Sequence, residues 1–386
     1  MPPSSSITEA LRPAVTPLLA ALPSTVPFVA PDALERRSGR PLALRLGANE
    51  SSFGTSPKAL AAMRDAIARA AWYGDPETFA LRARLAARLR VRPSNLAVGA
   101  GVDDLLGLVV RCFVSPGDPV VMSRGGYPTF AYHVAGFGGV LHTVPYRDDR
   151  NDLDGLAEAA RRHGARLCYL SNPDNPSGSW HSGDDVRAFL DRLPPGCLLL
   201  LDEAYLEFGP DGTAPSLAAD DPRVVRTRTF SKLYGMAGAR IGYAIADETM
   251  VATFDKVRHH FGVNAIAQAG ALAALDDAEH VARTLSAVAE GRRDYGMLGA
   301  AIGMPTLPSG TNFVCFDAGG AARARALVAL LLEHGVFIRM PGAPPLDRCV
   351  RITVGTAPER AELSSLLRRL HAEGALAALD NHSPRG

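Results

Sequence analysis

The sequence predicts an α/β fold: a mostly parallel seven-stranded sheet sandwiched by helices, with a smaller α+β domain after it. Three observations predict it. From Leu96 onward, short apolar runs alternate with amphipathic stretches, the pattern of parallel strands buried on both faces and joined by helices. Beyond about residue 280 that texture gives way to a long helix and a few isolated strands. The chain has 386 residues, which at about 150 residues per domain leaves room for one large unit and a companion.

The elements follow in order. Residues 1–45 hold prolines at 2, 3, 13, 17, 23, 27, 31 and 41, so they read as an irregular arm, with one short helix near Ile7 to Leu11. Leu60, Met63, Ile67 and Ala70 give Pro57 to Ala71 a helical spacing, and Leu81, Leu85 and Leu89 mark a second helix. Candidate strands are 96–99, 119–122, 139–144, 166–170, 197–201, 224–229 and 241–246. Helices Val102 to Phe113 and Asp184 to Leu193 lie between them. Then come a helix at 280–299, strand 313–316, helix 320–334, strands 336–339 and 349–354, and a final helix. Thr356 and Glu359 form a capping box for that last helix, with Pro358 in its first turn. The expected organisation is an arm (1–45) belonging to the small domain, a large domain (46–278), a small C-terminal domain (279–380) and a disordered tail (381–386).

Composition narrows the function. Forty-one basic residues against 40 acidic ones give a net charge of +1, which argues against nucleic acid or an anionic membrane as partner. The apolar runs, Cys197–Leu201 and Ala326–Leu332 among them, are too short to span a bilayer. The N-terminus lacks the basic start and apolar stretch of a signal peptide. Five scattered cysteines without paired spacing read as buried thiols of a reducing compartment. A cytoplasmic enzyme is the expectation. No GxxxxGK[ST], GxSxG, HExxH or CxxC motif is present, so ATPase, α/β-hydrolase and zinc readings lack their signatures, and no metal is expected.

Only three basic residues are lysines: Lys58, Lys232 and Lys256. Arginine cannot act as an amine nucleophile, whereas a desolvated lysine can. Lys232 sits in TFSKLYGMAGARIGY with no acid within ten residues on either side. That setting lowers an amine pKa and suits Schiff-base chemistry. Lys58, after Pro57, and Lys256, after Asp255, read as solvated charges. Asp202 ends the run CLLLLD, at the strand edge where open α/β sheets bind ligands. It is either a helix N-cap or a carboxylate holding a proton on a heterocyclic nitrogen. In VGAGVDDLL, Gly99 and Gly101 precede a helix start, a phosphate cradle. A dinucleotide fingerprint is not completed there, because Asp104 takes the third glycine position. Ser231 and Arg240 offer two more phosphate ligands. Asn175, in the turn-rich SNPDNPSG, can reach the same edge. Arg351, flanked by apolar residues on its strand, must meet an anion if it faces inward; Arg339 ends the preceding strand and is a second candidate or half of an interdomain ion pair. His259–His260 has no chelating spacing.

These pieces share their order and spacing with a known family. LGANESSFGTSP, WYGDPE, VGAGVDDLL, GGYPTFAY, SNPDNPSG, LLDEAYLEF, RTFSKLYGMAGARIGY, VRHHFGVNAIAQ, GTNFVCF and CVRITVGT resemble, in sequence, the fold-type I pyridoxal-phosphate-dependent aminotransferases of class I/II. The resemblance runs from about residue 27 to 372 and is nearest to the histidinol-phosphate aminotransferases. It implies that Lys232 binds pyridoxal phosphate as a Schiff base and shuttles protons. Asp202 would pair with the ring nitrogen, Tyr205 and Asn175 with the ring hydroxyl, and Tyr127 would stack on the ring. Ser231, Arg240 and the backbone at Gly101–Val102 would hold the phosphate, and Tyr73 would reach the phosphate of a neighbouring subunit in a homodimer with shared active sites. Arg351 and Arg339 would bind the substrate's anionic group, with Asn49 in the substrate-side segment. The implied reaction passes an amino group from histidinol phosphate or an aromatic amino acid to a 2-oxo acid such as 2-oxoglutarate in a ping-pong cycle. Departures are NESS for an NENP-like segment, Tyr-Gly-Asp-Pro for Tyr-Pro-Asp-Pro, and Phe28 where the family's arm carries a tyrosine hydroxyl toward the substrate phosphate. A decarboxylase resembling the threonine-phosphate decarboxylases is the alternative. A DNA-binding regulator would need a helix-turn-helix domain that the short arm does not supply, and a nicotinamide enzyme leaves Lys232 and Asp202 unexplained.

Overall fold

The computed structural model of the protein describes residues 13–23 and 29–379. The expected helix at Ile7–Leu11, Phe28 and the tail at 381–386 lie outside the described residues. The arm holds two helices that the sequence reading left irregular, Pro17–Ala20 and Pro31–Ser38. Each begins on its proline, whose fixed φ and missing N–H suit the first helical position. The arm leads into β1 (Leu44–Arg45).

The large sheet comprises β2 (Leu96–Gly99), β3 (Pro119–Ser123), β4 (Val140–Val144), β5 (Leu167–Ser171), β6 (Leu198–Asp202), β7 (Val224–Thr229) and β8 (Gly242–Ile245), in the order β2-β8-β7-β6-β5-β3-β4. All pairs are parallel except those of β8, which runs antiparallel to β2 and β7. The seven expected strands are all present, with ends shifted by a residue or two. β5 and β6 are buried along their whole length and their side chains alternate between two cores. Leu167, Tyr169, Leu198 and Leu200 pack beneath helix Val102–Phe113, whereas Cys168, Leu170, Leu199 and Leu201 pack against Leu156, Val186 and Phe189. Burial on both faces is why LLLL shows no alternation. Each such side chain contributes roughly 1.5–3 kcal/mol.

The C-terminal unit pairs β9 (Phe313–Asp317) antiparallel with β11 (Cys349–Thr353), while β10 (Val336–Phe337) runs parallel to β1. The long helix spans Ala278–Ala301, two residues further at each end than its apolar spacing suggests, because Asp277 caps it by accepting from the His280 N–H. β10 is shorter than expected. Past Phe337 the chain is tied to β11 only by the backbone bonds between Arg339 and Arg351. The Thr356–Glu359 capping box is present.

Parallel strands end together, so β5, β6 and β7 deliver Ser171, Asp202 and Thr229 to one edge of the sheet. Helix Val102–Phe113 starts beside that edge, and β11 brings Arg351 over it.

Candidate active site

A cavity of about 1010 Å³ opens at this edge, lined by Asn49, Val102, Tyr127, Asn175, Asp202, Tyr205, Ser231, Lys232, Arg240, Arg339 and Arg351. Of the sequence-derived candidates only Tyr73 and Gly101 are not on its wall; Gly101 lies directly behind it.

Lys232 lies on the connection between β7 and β8. The loop can turn there because Gly235 takes φ 65°, and a Cβ on it would fall 2.0 Å from the Gly54 carbonyl oxygen. The Thr55 hydroxyl donates to the Gly235 carbonyl at 2.6 Å and completes the contact. The Lys232 ammonium donates to the Asn49 carbonyl at 3.0 Å and stands 5.7 Å from the Tyr205 ring centre. No described carboxylate pairs with it. Burial, reinforced by the Arg351 guanidinium, lowers its pKa to about 8; Glu50 and Asp103 oppose the shift. Lys58 and Lys256 are exposed. The neutral-amine fraction therefore grows as pH rises through about 8, and cofactor-free protein should take up pyridoxal phosphate with a rate whose midpoint lies near that pH. Stopped-flow absorbance measures it, and a midpoint near 10 would remove the lowered amine.

Asp202 is buried. Its Oδ2 accepts from the Tyr169 hydroxyl at 2.8 Å and its Oδ1 from the Ala204 N–H at 3.1 Å and the Thr227 hydroxyl at 3.3 Å. Only a short 3-10 turn, Leu206–Phe208, follows, so Asp202 caps no helix. Burial raises its pKa to about 6 against the pull of these three donors. A carboxylate held this way and lacking a cation suits a protonated ring nitrogen.

Asn49, at φ 54°, turns its amide to donate to the Tyr205 hydroxyl at 3.0 Å. The Asn175 amide oxygen accepts from Arg351 Nη1 at 2.5 Å. Arg351 Nη2 donates to the Gly47 carbonyl at 3.1 Å, Nε is buried without a partner, and no described carboxylate pairs with the group. Burial lowers its pKa. Arg339 donates to the Val29 carbonyl at 3.1 Å. The Tyr127 hydroxyl donates to Asp103 at 2.7 Å.

The anion cradle is compact. Gly101 caps helix Val102–Phe113 at φ 89°, and a Cβ on it would lie 2.6 Å from Arg240 Nη2. Ser231 lines the same corner. Helix N–H groups, a hydroxyl and a guanidinium thus converge where a phosphate monoester fits. Together with an amine of lowered pKa and a buried carboxylate, these residues fit pyridoxal phosphate.

Sequence reasoning missed Tyr169 and Asp103. A hydroxyl-bearing ring inside the apolar run of β5 must find a partner when buried, which was a usable signal for Tyr169. Asp103 carried none. Tyr73 is 82% exposed, away from the cavity, and rests on Phe261 at 4.6 Å.

The family described as aminotransferase class I and II matches residues 43–370. The chain belongs to the class I and II aminotransferases. Histidinol-phosphate aminotransferase of Roseiflexus castenholzii is 37% identical to this aminotransferase over 377 residues, 95% of this chain and 99% of that protein. The enzyme of the same name from Symbiobacterium thermophilum is 37% identical over 344 residues, 88% and 94% of the two chains. The crystal structure of histidinol-phosphate aminotransferase from Sinorhizobium meliloti with pyridoxal-5'-phosphate superposes with TM-score 0.90 at 49% identity, covering 93% of this chain and 98% of that one. Aspartate aminotransferase of Thermus thermophilus, at 23% identity and TM-score 0.78, shares the fold. This aminotransferase sits in the histidinol-phosphate branch of the family.

Proposed function

We propose that the enzyme takes the amino group from histidinol phosphate and passes it to a 2-oxo acid, 2-oxoglutarate being the acceptor the family resemblance implies, in a ping-pong cycle. One observation carries the choice of donor: the cavity holds a guanidinium, Arg351, with no described carboxylate partner, and Arg339 beside it. Two arginines suit a phosphate dianion. The names of the relatives support the same reading.

Bound pyridoxal phosphate supplies an electron sink for the bond-breaking at the donor's Cα. The residues of this chain do the rest. Asp202 would keep a proton on the ring nitrogen. Tyr205 and Asn175 would hold the ring oxygen, Tyr127 would stack on the ring, and Ser231, Arg240 and the N–H groups at Gly101–Val102 would hold the phosphate. Lys232 would anchor the cofactor and, as a free amine, would carry the proton from the donor Cα on its Nζ. Arg351, with Arg339, fixes the donor's far end, and Asn49 orients Tyr205.

The active unit in this proposal is a homodimer. Trp72, Tyr73, Phe79 and Phe261 are all more than half exposed, a grouping of apolar side chains that suits burial against a second copy. Tyr73 would then reach the partner's phosphate. The large domain would be 46–278 and the small one 279–380 with the arm. The enzyme would work in the cytoplasm, which agrees with five free cysteines; no described helix is long and apolar enough to cross a membrane.

A half-reaction screen tests the donor. Loaded enzyme is mixed with histidinol phosphate and with each standard amino acid, and the cofactor absorbance is followed. Histidinol phosphate should convert it at the lowest concentration. Conversion by an aromatic amino acid alone would overturn the assignment, and carbon dioxide release without an oxo acid would favour decarboxylation.

A further inference from the structure

Behind the cavity wall lies a carboxylate that the chemistry above does not use. Asp174 is 2% exposed and forms no ion pair among the described residues. Its carboxylate oxygens instead accept from the Tyr146 hydroxyl at 3.0 Å, Asn151 Nδ2 at 3.2 Å, the Ser177 N–H at 3.0 Å and the Ser177 hydroxyl at 2.6 Å. Burial pushes its pKa up and these donors pull it down.

The donors come from separate parts of the fold. Tyr146 follows β4, Asn151 precedes helix Leu153–His163, and Ser177 belongs to the loop after β5. Asn151 is itself fixed by the Ser123 hydroxyl at the end of β3 (2.5 Å) and bonds the Ser171 carbonyl at the end of β5 (3.1 Å). One carboxylate therefore ties three strand ends to the loop that carries Asn175. The other side of that loop faces the small sheet, where Pro176 O accepts from the Cys315 thiol at 3.1 Å and Asn175 accepts from Arg351.

A tight turn alone can be built with neutral side chains. Burying a carboxylate without a counter-ion costs several kcal/mol, and the charge-assisted hydrogen bonds from Tyr146, Asn151 and Ser177 offset that cost and fix the loop. We propose that Asp174 is a positioning residue for substrate binding: it fixes Asn175, and through Asn175 the Arg351 guanidinium, at the place where the donor's anionic group docks. The inference rests on the reading that Arg351 binds that group. A guanidinium displaced by about 1 Å loses much of its effect.

The test compares steady-state constants for histidinol phosphate in Asp174→Ala, Asp174→Asn and Arg351→Ala holoenzymes, with calorimetric binding of propyl phosphate as a readout independent of turnover. Asp174→Ala should raise KM and weaken propyl phosphate at least tenfold while kcat changes less than threefold. Asp174→Asn keeps an acceptor for the Tyr146 and Ser177 donors and should recover to within about threefold of the parent. A merely structural role would lower kcat through loss of active protein and leave KM unchanged. That outcome, or failure of Asn to rescue, overturns the proposal. If Asp174→Ala does not fold, Tyr146→Phe and Ser177→Ala each remove one donor and should raise KM two- to fivefold; no change in either is equally fatal. If Arg351→Ala itself leaves KM and propyl phosphate binding unaltered, the reading of Arg351 fails instead, which separates the two.

Discussion

Lys232→Ala should abolish measurable transamination. In the proposed reaction the residue would combine two tasks that no other side chain in the cavity can take over, anchoring the cofactor and moving the Cα proton. Proton transfer alone contributes about 10²- to 10⁴-fold, and loss of the covalent anchor adds to it, so single-turnover rates should fall by at least about 10⁴. The companion measurement is borohydride reduction of the parent enzyme followed by peptide mapping. The added mass should appear on the peptide holding Lys232. Lys58 and Lys256 are solvent-exposed and should remain unmodified. Label on either of those, or a Lys232→Ala enzyme with ordinary turnover, would dismantle the active-site assignment.

The second large effect belongs to Asp202→Asn. An amide oxygen can accept from the Ala204 N–H and the Thr227 hydroxyl while its NH2 donates to the Tyr169 oxygen, but it cannot hold a proton on the ring nitrogen by charge. Turnover should drop by about 10²- to 10³-fold, the scale expected when a buried electrostatic partner of the reacting centre is removed. The same substitution changes the stability of the cofactor-free protein in the opposite sense. The folded-state pKa of Asp202, about 6, exceeds the ordinary carboxylate value. Between about pH 4 and 6 the folded chain thus binds more protons than the unfolded one, and the contribution of this group declines as pH rises through that window. The loss amounts to about 3 kcal/mol once the carboxylate is fully ionised. Urea unfolding at pH 4 and pH 7.5 should show Asp202→Asn gaining on its parent at the higher pH. An unchanged difference between the two would mean that Asp202 ionises without penalty.

Much of this was visible in the sequence for local reasons. CLLLLD is a buried parallel strand ending at a ligand edge, and that inference needs only six consecutive residues. Lys232 stood out because the chain elsewhere uses arginine for positive charge. Gly101 and the helix after it form a cradle within one turn. What stayed hidden depends on register between distant segments. Tyr169 meets Asp202 because β5 lies beside β6 with Ser171 opposite Asp202, and Asp174 gathers donors from residues 146, 151 and 177. Spacing cannot reveal such partners, since the sheet brings them together only after it forms. The arm helices were missed for a different reason: proline was read as a breaker when it occupies the one helical position it favours. Tyr73, on the surface of a single chain, depends on a second copy for any role in catalysis.

The approach of Gly235 to the Gly54 carbonyl leaves no room for even a methyl group between two segments about 180 positions apart. The stretch around Thr55 and the loop bearing the reactive amine are therefore seated as one unit: displacement of the first unseats the second, and a side chain at Gly235 would inactivate the enzyme by moving the amine rather than by touching the cofactor's pocket.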